Sequence, residues 1–195
     1  MLKFVIKYYI CNAMTTPIFN LEHALNAFMY VANRLDITDI HRIFKVLYFA
    51  DKQHLSNYLR PITGDTYIAM DDGPVPTNLY DIVKEVDNRG HWNGERKSMI
   101  FTSLFSINKN MFVKPHKDAD LDFLSISDIE ELDKSIEKYG ALSHELLSTI
   151  SHAYAWQRTS RNSAMDLDNI LRENGEGEDF IKHIAEDIAF VKALS

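Results

Sequence analysis

Two side chains that could carry acid–base or metal chemistry, Asp51 and His54, lie three residues apart near the end of a predicted helix. Residues at this spacing share one face of an α-helix, and here the same face carries Leu47, Phe44 and Ile40. A carboxylate and an imidazole on such an apolar face could form half of a metal site or a general acid–base pair. They could equally be a hydrogen-bonded pair that fixes the loop after the helix, because buried polar groups need partners.

Other patterns that would indicate catalysis are incomplete in the sequence. His144 and Glu145 match the start of a zinc-protease helix, but Ser148 stands where the His-Glu-x-x-His motif needs its second histidine. The sequence contains no Gly-x-Ser-x-Gly, Walker or Gly-x-Gly-x-x-Gly motif. We therefore expect no enzymatic activity, no cofactor and no metal ion.

A further pair, His152 and Trp156, is separated by four residues and so shares one face of a predicted helix. Tryptophan beside a polar side chain is typical of interface hot spots. It is equally typical of a large side chain packed in a core. The spacing leaves both roles open.

The composition is that of a soluble globular protein, with 195 residues of which 46% are hydrophobic and 25% charged. This length predicts one domain, and no apolar run approaches the roughly 18 residues of a membrane-spanning helix. Cys11 is the only cysteine, which excludes an intramolecular disulfide and suits the reducing cytoplasm. We therefore expect a cytoplasmic protein that does not bind membranes.

The net charge of −7 is unevenly distributed along the chain. Residues 1–116 carry 13 basic and 11 acidic side chains, whereas residues 117–195 carry 8 basic and 17 acidic ones. An acidic half repels phosphate backbones and attracts basic partners, although it is also typical of a solvated helical surface. Direct binding of nucleic acid is therefore not expected.

Hydrophobic spacing predicts an α+β fold that is predominantly helical, with a central buried helix, surrounding helices and a small antiparallel sheet or hairpin. The central helix is predicted over residues 39–58, after Thr38, because residues 43–50 are apolar nearly all round. Other helices are predicted with Asn20 and Thr77 as N-caps, over residues 127–139 with Ser127 as N-cap, over residues 141–159 and 166–173, and from residue 179. A strand is predicted at residues 67–70, a turn at 71–76 and a hairpin at 98–114.

Residues 1–13 read as an extension that precedes a single domain spanning residues 14–195. Lys7 interrupts the apolar stretch that an export signal needs. The alternation of Phe4, Ile6 and Tyr8 instead favours an added strand or a poorly ordered segment. We expect this extension to be dispensable for folding and for partner binding.

Several separated motifs resemble one known family. They are Phe-Lys-Val-Leu-Tyr-Phe-Ala-Asp-Lys-Gln-His-Leu at residues 44–55, Ile-Thr-Gly-Asp-Thr-Tyr-Ile-Ala at 62–69, Gly-Pro-Val at 73–75, Leu-Tyr at 79–80, and Leu142, Ser151, His152 and Trp156 further on. In this order they resemble the Panacea domain, a SocA-like antitoxin family also described as phage-associated and GepA-like. The resemblance covers roughly residues 20–175.

The resemblance implies an antitoxin of a toxin–antitoxin system, which neutralises a cognate protein toxin by direct binding. The toxin would be encoded by an adjacent gene. A proteolytic adaptor that delivers the toxin to a chaperone-protease remains an alternative. So does a metal-dependent or hydrolytic enzyme built around Asp51, His54 and His152.

The resemblance also implies a structural or partner-binding role for a set of motif positions. These are Lys45, Tyr48, Asp51, His54, Asp65, Tyr67, Gly73, Pro74, Tyr80, His152 and Trp156. Because isolated buried polar groups are costly, we expect Lys45, Asp51 and His54 to be buried and paired. The expected pairing is with one another, or through Tyr48, Thr66 or Tyr80.

Overall fold

The computed structural model describes residues 19–87, residue 89 and residues 95–194, except for the side chains of residues 95–98 and 187–194. The extension at residues 1–13, with Cys11, lies outside the described residues, so the predictions made for it stay predictions. The described chain is predominantly helical with two small antiparallel sheets, which confirms the predicted α+β class. None of its helices is long and apolar enough to cross a bilayer.

Most of the helices follow the first pair of strands along the chain. The helices are α1 (Leu21–Arg34), α2 (Ile40–Tyr58), α3 (Thr77–Val86), α4 (Glu95–Leu104), α5 (Ile126–Tyr139), α6 (His144–Ser151), α7 (Tyr154–Gln157), α8 (Leu167–Glu173) and α9 (Glu178–Leu194). The strands are β1 (Tyr67–Met70), β2 (Gly73–Pro76), β3 (Phe105–Ile107) and β4 (Val113–Pro115), and a 3₁₀ helix spans Leu121–Phe123.

Helix α2 is the central element, as its apolar sequence predicts. Its residues 42–51 are all buried, and α1, α5, α6, α8 and β2 pack around it. Two apolar clusters meet along it, one with α1 and α3 and the other with α6, α8 and α9. Arg42 connects α2 to the loop that follows α5, because its guanidinium donates to the carbonyls of Gly140 at 2.7 Å and Leu142 at 2.5 Å. The helix thus serves as the frame on which the motif side chains are placed.

Strands β1 and β2 form an antiparallel hairpin with Tyr67 opposite Pro76 and Met70 opposite Gly73. A later segment, residues 162–165, lies along the other edge of β1. Its bonds are from the Ala69 amide to the Ser163 carbonyl (3.0 Å), from the Asn162 amide to the Ala69 carbonyl (2.8 Å) and from the Met165 amide to the Tyr67 carbonyl (2.8 Å). Strands β3 and β4 form a second hairpin.

Two predicted elements were wrong in their extent. Residues 98–114 were predicted as one hairpin, but residues up to Leu104 are helical, and only β3 and β4 pair. The buried side chains of Phe101 and Phe105 are four residues apart, a spacing that suits a helix face as well as the alternation of a strand. Residues 71–76, predicted as a turn, turn only at residues 71–72, since residues 73–76 form β2.

The helix predicted over residues 141–159 is also broken into two, α6 and α7. Ala153 adopts an extended backbone between them, with φ −84° and ψ −161°. The Ala155 amide donates to the Glu173 carboxylate at 2.8 Å, and the Trp156 indole donates to the Met70 carbonyl at 2.9 Å. These tertiary bonds fix the direction of α7, and a local helix pattern cannot reveal them.

Candidate functional site

The motif residues from three distant segments meet behind the β1–β2 turn. Lys45 of α2 is fully buried, and its ammonium donates to the Pro74 carbonyl at 2.9 Å. Gly73 has φ +100°, and a Cβ there would collide with Ser151 Oγ and lie 3.0 Å from Lys45 Cε. Glycine is therefore required twice over, by its backbone conformation and by the close approach of α2 and α6.

The charge at Lys45 is held in an apolar environment without a carboxylate in ion-pair range among the described residues. Burial lowers the pKa of Lys45 from 10.5 to about 7, and the charge of Asp72 opposes this shift. Such an amine could act as a base or nucleophile where a substrate reached it. Here the side chain is 0% exposed and donates to a backbone carbonyl, which is the arrangement of a structural donor.

A cleft of about 740 Å³ lies beside this junction, between α2, the β1–β2 turn and the start of α6. His41 stacks on His144 with ring centroids 3.8 Å apart, and its Nε2 atom lies 3.1 Å from Ser148 Oγ. Burial, with the charge of Lys45, lowers the pKa of His41 to about 4. Tyr80 of α3 closes the apolar side by an edge contact with Phe44. The cleft therefore combines ring side chains with charged ones, since Asp71, Asp72 and Arg161 also line it.

His152 and Trp156 lie on the same junction, as a stacked pair with ring centroids 3.8 Å apart. Trp156 is half-buried, and its indole donates to the Met70 carbonyl at 2.9 Å. Burial and the charge of Lys45 lower the pKa of His152. Of the two roles that the sequence left open, the geometry supports packing, because the pair joins α7 to the end of β1.

Asp51 organises the loop after α2. It accepts bonds from the amides of Ile62 at 2.8 Å and Thr63 at 2.9 Å, from the Tyr67 hydroxyl at 2.8 Å and from the Thr63 hydroxyl. Burial raises the pKa of Asp51, and the bonds from Thr63, Tyr67 and Ile62 oppose the rise. All donors come from one loop and the strand that follows it, so Asp51 fixes the path from α2 to β1.

Asp65 caps α3 from outside the helix. Its carboxylate accepts from the amides of Asn78 at 3.0 Å and Leu79 at 3.0 Å, which are unpaired donors of the first helical turn. Thr77 was predicted to cap this helix but is its first residue, and Pro76 precedes it without a side-chain bond. A carboxylate at this end also interacts favourably with the helix dipole.

His54 belongs to a separate polar cluster on the other side of α2. It is fully buried, with Nδ1 2.7 Å from the Arg60 carbonyl and Nε2 3.1 Å from Asp128 Oδ1. Asp128 also accepts from the Arg60 guanidinium at 2.8 Å and lies 3.2 Å from His23 Nε2. Although burial opposes it, the bonds from His23 and His54 and the charge of Arg60 hold the pKa of Asp128 well below its usual range.

The motif residue Tyr48 bonds to Glu173, whose carboxylate connects three helices. This carboxylate accepts from the Tyr48 hydroxyl at 3.2 Å, from the Lys52 ammonium at 2.9 Å and from the Ala155 amide at 2.8 Å. A cavity of about 390 Å³ lies nearby, lined by Tyr48, Asp51, Asp65 and Tyr67 among others. The bonds connect α2, α7 and α8.

The structure confirms that Lys45, Asp51 and His54 are buried, but the predicted pairing among them was wrong. Each bonds to a different segment, and none pairs through Tyr48, Thr66 or Tyr80. The pairing failed because α2 is surrounded on several sides, so polar groups one turn apart meet different neighbours. His152 likewise bonds to neither Asp51 nor His54, and no group of three or more metal-ligand side chains occurs in the described part of the chain.

Several residues that hold the site were missed from the sequence. They are His41, Thr63, Asp128, Ser151 and Glu173. Thr63 and Ser151 lie within the quoted family motifs but were not among the predicted site residues. Asp128 had a local signal, since Ser125 and Asp128 have the spacing of a capping box, and they form one in the structure. The others act through contacts between distant segments, for which the sequence carries no local sign.

Comparison with known proteins places this geometry in a family. The family model described as antitoxin SocA-like, Panacea domain, matches residues 43–157, which is more than half of the chain. No curated protein and no solved structure matches the chain. The matched region begins in α2, which carries Lys45 and Asp51, and ends with α7, which carries Trp156. The chain belongs to the SocA-like antitoxin family of Panacea domains.

Proposed function

We propose that this protein is a cytoplasmic antitoxin that neutralises a cognate protein toxin by direct binding, the toxin being the product of an adjacent gene. The observation that carries the proposal is the family match over residues 43–157. It covers α2, both hairpins and the α6–α7 junction, so it concerns the frame of the molecule and not a peripheral element.

The geometry of the motif side chains supports binding as the mode of action. Lys45, Asp51, Asp65 and His54 bond to the protein's own backbone and side chains. Groups used in this way fix the relative positions of helices and hairpins. A rigid, preformed surface loses less conformational entropy when it binds a partner. Neutralisation would then follow from occupancy of the toxin, in a stoichiometric complex.

Co-expression tests the proposal. The adjacent gene and this chain are placed under separate inducible promoters in a bacterial host. We expect the adjacent product alone to arrest growth, induction of this chain to restore it, and the two proteins to co-purify. The Asp51→Ala variant, which loses the loop anchor, serves as a folding-defective control, and Glu137→Ala, at an exposed position, serves as the matched neutral control.

Two results would contradict the proposal: growth arrest that persists although the folded chain is abundant, or rescue without any complex. The half-life of the adjacent product, measured after its synthesis is stopped, separates direct neutralisation from a proteolytic adaptor. An unchanged half-life within a stable complex supports neutralisation by binding. A half-life that shortens when this chain is present, and recovers in a host lacking the protease, supports the adaptor.

A further inference from the structure

Three large apolar side chains are exposed within one short stretch of the surface. Leu121 is 50% exposed, Phe123 44% and Ile126 79%. They lie in the 3₁₀ helix and at the first residue of α5. Burial of a side chain of this size contributes about 1.5–3 kcal/mol, so the three together offer substantial binding free energy to a partner.

The cap that begins α5 does not use these side chains. The start of α5 is capped by reciprocal bonds, from the Asp128 amide to Ser125 Oγ at 3.2 Å and from the Ser125 amide to Asp128 Oδ2 at 2.8 Å. Leu124 is buried and Ile129 packs on the same core, which is the apolar pair expected to flank such a cap. Ile126, the first residue of α5, takes no part in this cap and is 79% exposed.

The charge around this stretch has one sign. Residues 118–130 contain five acidic residues and no lysine or arginine. Asp118, Asp120, Asp122 and Glu130 are exposed, and none of them forms an ion pair within the described residues. Arg60, which reaches the start of α5, already bonds through its guanidinium to Asp128 and Ser125. The carboxylates therefore remain free to meet cations of a partner.

The stretch is held rigidly on α1. The Ala119 amide donates to Asn33 Oδ1 at 3.0 Å, and the Asp120 amide donates to Asn26 Oδ1 at 2.8 Å. Asn33 also donates to the Lys117 carbonyl at 3.2 Å. A surface positioned before binding lowers the entropic cost of forming a complex.

A second exposed apolar pair offers a useful contrast. Met99 is 71% exposed and Ile100 55% exposed, both on α4. In the sequence they directly follow Arg96, Lys97 and Ser98, so their stretch lacks the acidic character of residues 118–130. The combination of exposed apolar side chains with unpaired carboxylates distinguishes the first stretch from this one.

We propose that Leu121, Phe123 and Ile126, with the carboxylates of Asp118, Asp122 and Glu130 around them, form the surface that holds the toxin. This acidic docking surface takes a basic segment of the toxin in which apolar side chains alternate with lysine or arginine. Complementary charge steers association and fixes the register, whereas the buried apolar side chains supply most of the affinity. The inference rests on the proposed antitoxin function.

The test measures the Kd between the purified full chain and the purified product of the adjacent gene, by biolayer interferometry at low and high salt. The apolar variant is Phe123→Ser with Ile126→Ser, and the charge variant is Asp118→Lys, Asp122→Lys and Glu130→Lys. The matched controls are Met99→Ser with Ile100→Ser, and Glu137→Lys with Glu145→Lys. Circular dichroism verifies that each variant is folded.

We expect each docking-surface variant to weaken binding by at least about tenfold, as loss of a hot-spot contact does. The effect of the charge variant should shrink at high salt, because ions screen exposed charges. The controls should stay within about threefold of the unmodified chain, consistent with neutral contacts outside a hot spot.

The outcomes separate this inference from the function on which it rests. If the unmodified chain binds the adjacent product and the docking-surface variants bind equally well, the surface is wrong and the antitoxin function stands. A charge variant that binds more tightly would also overturn the inference, since it would indicate an acidic partner. If the unmodified chain does not bind at all, both the surface and the proposed function fail.

Discussion

Replacing Lys45 with methionine should remove the contribution of this side chain to the pH dependence of the free energy of unfolding. The ammonium is fully buried, and burial lowers its pKa from 10.5 to about 7. Between these two values the unfolded chain binds more protons at this position than the folded chain. The free energy of unfolding therefore rises with pH across this window, and it falls as the pH returns toward about 7.

The size of the effect follows from the same two pKa values. Between about pH 7 and about pH 9, the difference in proton binding at Lys45 adds about 2 kcal/mol to the free energy of unfolding of the unmodified chain. For a domain of this size that corresponds to a rise in Tm of about 4–8 °C. Lys45→Met also leaves the Pro74 carbonyl without its donor, at a cost of about 1–3 kcal/mol. That cost is the same at both pH values and cancels in the comparison.

Urea denaturation of the unmodified chain and of Lys45→Met, at about pH 7 and about pH 9, measures the difference. Lys109→Met, at an exposed position, is the matched control and should keep the full rise. Groups that titrate in this range and do not feel the charge of Lys45 contribute equally to all three proteins. Equal pH dependence in the unmodified chain and in Lys45→Met would refute the argument, because it would show that Lys45 is not desolvated in the folded state.

Three further substitutions test the polar anchors. Asp51→Ala should lower the free energy of unfolding by about 3–5 kcal/mol in urea denaturation, because it leaves two buried amides and two hydroxyls without an acceptor. Gly73→Ala should lower it by about 2 kcal/mol or more, and adding Ser151→Gly should restore only part, since the strained backbone at φ +100° remains. Asp128→Asn should lower it by about 3 kcal/mol at neutral pH. That difference should begin to shrink as the pH falls below about 4, where the unfolded chain starts to bind the proton, and should keep shrinking towards the much lower pKa of the folded chain.

Exposed positions provide the controls for these three variants. Glu137→Ala should change the free energy of unfolding by less than about 0.5 kcal/mol. If Asp51→Ala were equally mild, the bonds to the loop after α2 would not hold that loop. Full recovery by Ser151→Gly would show that Gly73 is required for space alone. A destabilisation by Asp128→Asn that stays constant between about pH 5 and about pH 3 would exclude its ion pairs as the cause.

The helices could be predicted because their signals are local. The apolar residues of α2 and the capping side chain of Asn20 report on neighbours one turn away, and both predictions were confirmed. The boundaries shifted where a second capping residue lay close by. Asp39 and not Thr38 caps α2, and Ser125 and not Ser127 caps α5.

The partners of the motif side chains could not be predicted in the same way. Lys45 bonds to a carbonyl 29 residues away, and Tyr48 to a carboxylate 125 residues away. The sequence indicates that such buried polar groups need partners, but which groups meet depends on how the helices pack. Glu173 illustrates the point, since it ends a short helix and shows its role only when α2, α7 and α8 are assembled.

The hairpin of β1 and β2 has a consequence for how this protein can associate. Residues 162–165 occupy the outer edge of β1, and β2 carries Pro74 and Pro76, which have no amide to donate. A strand from another molecule therefore finds no free ladder of amides on either edge, which is how natural sheets avoid pairing with each other. Copies of this chain can therefore meet in solution without adding a strand to one another at this hairpin. For the same reason, a partner that met this hairpin would have to bind it through side chains and not by strand addition.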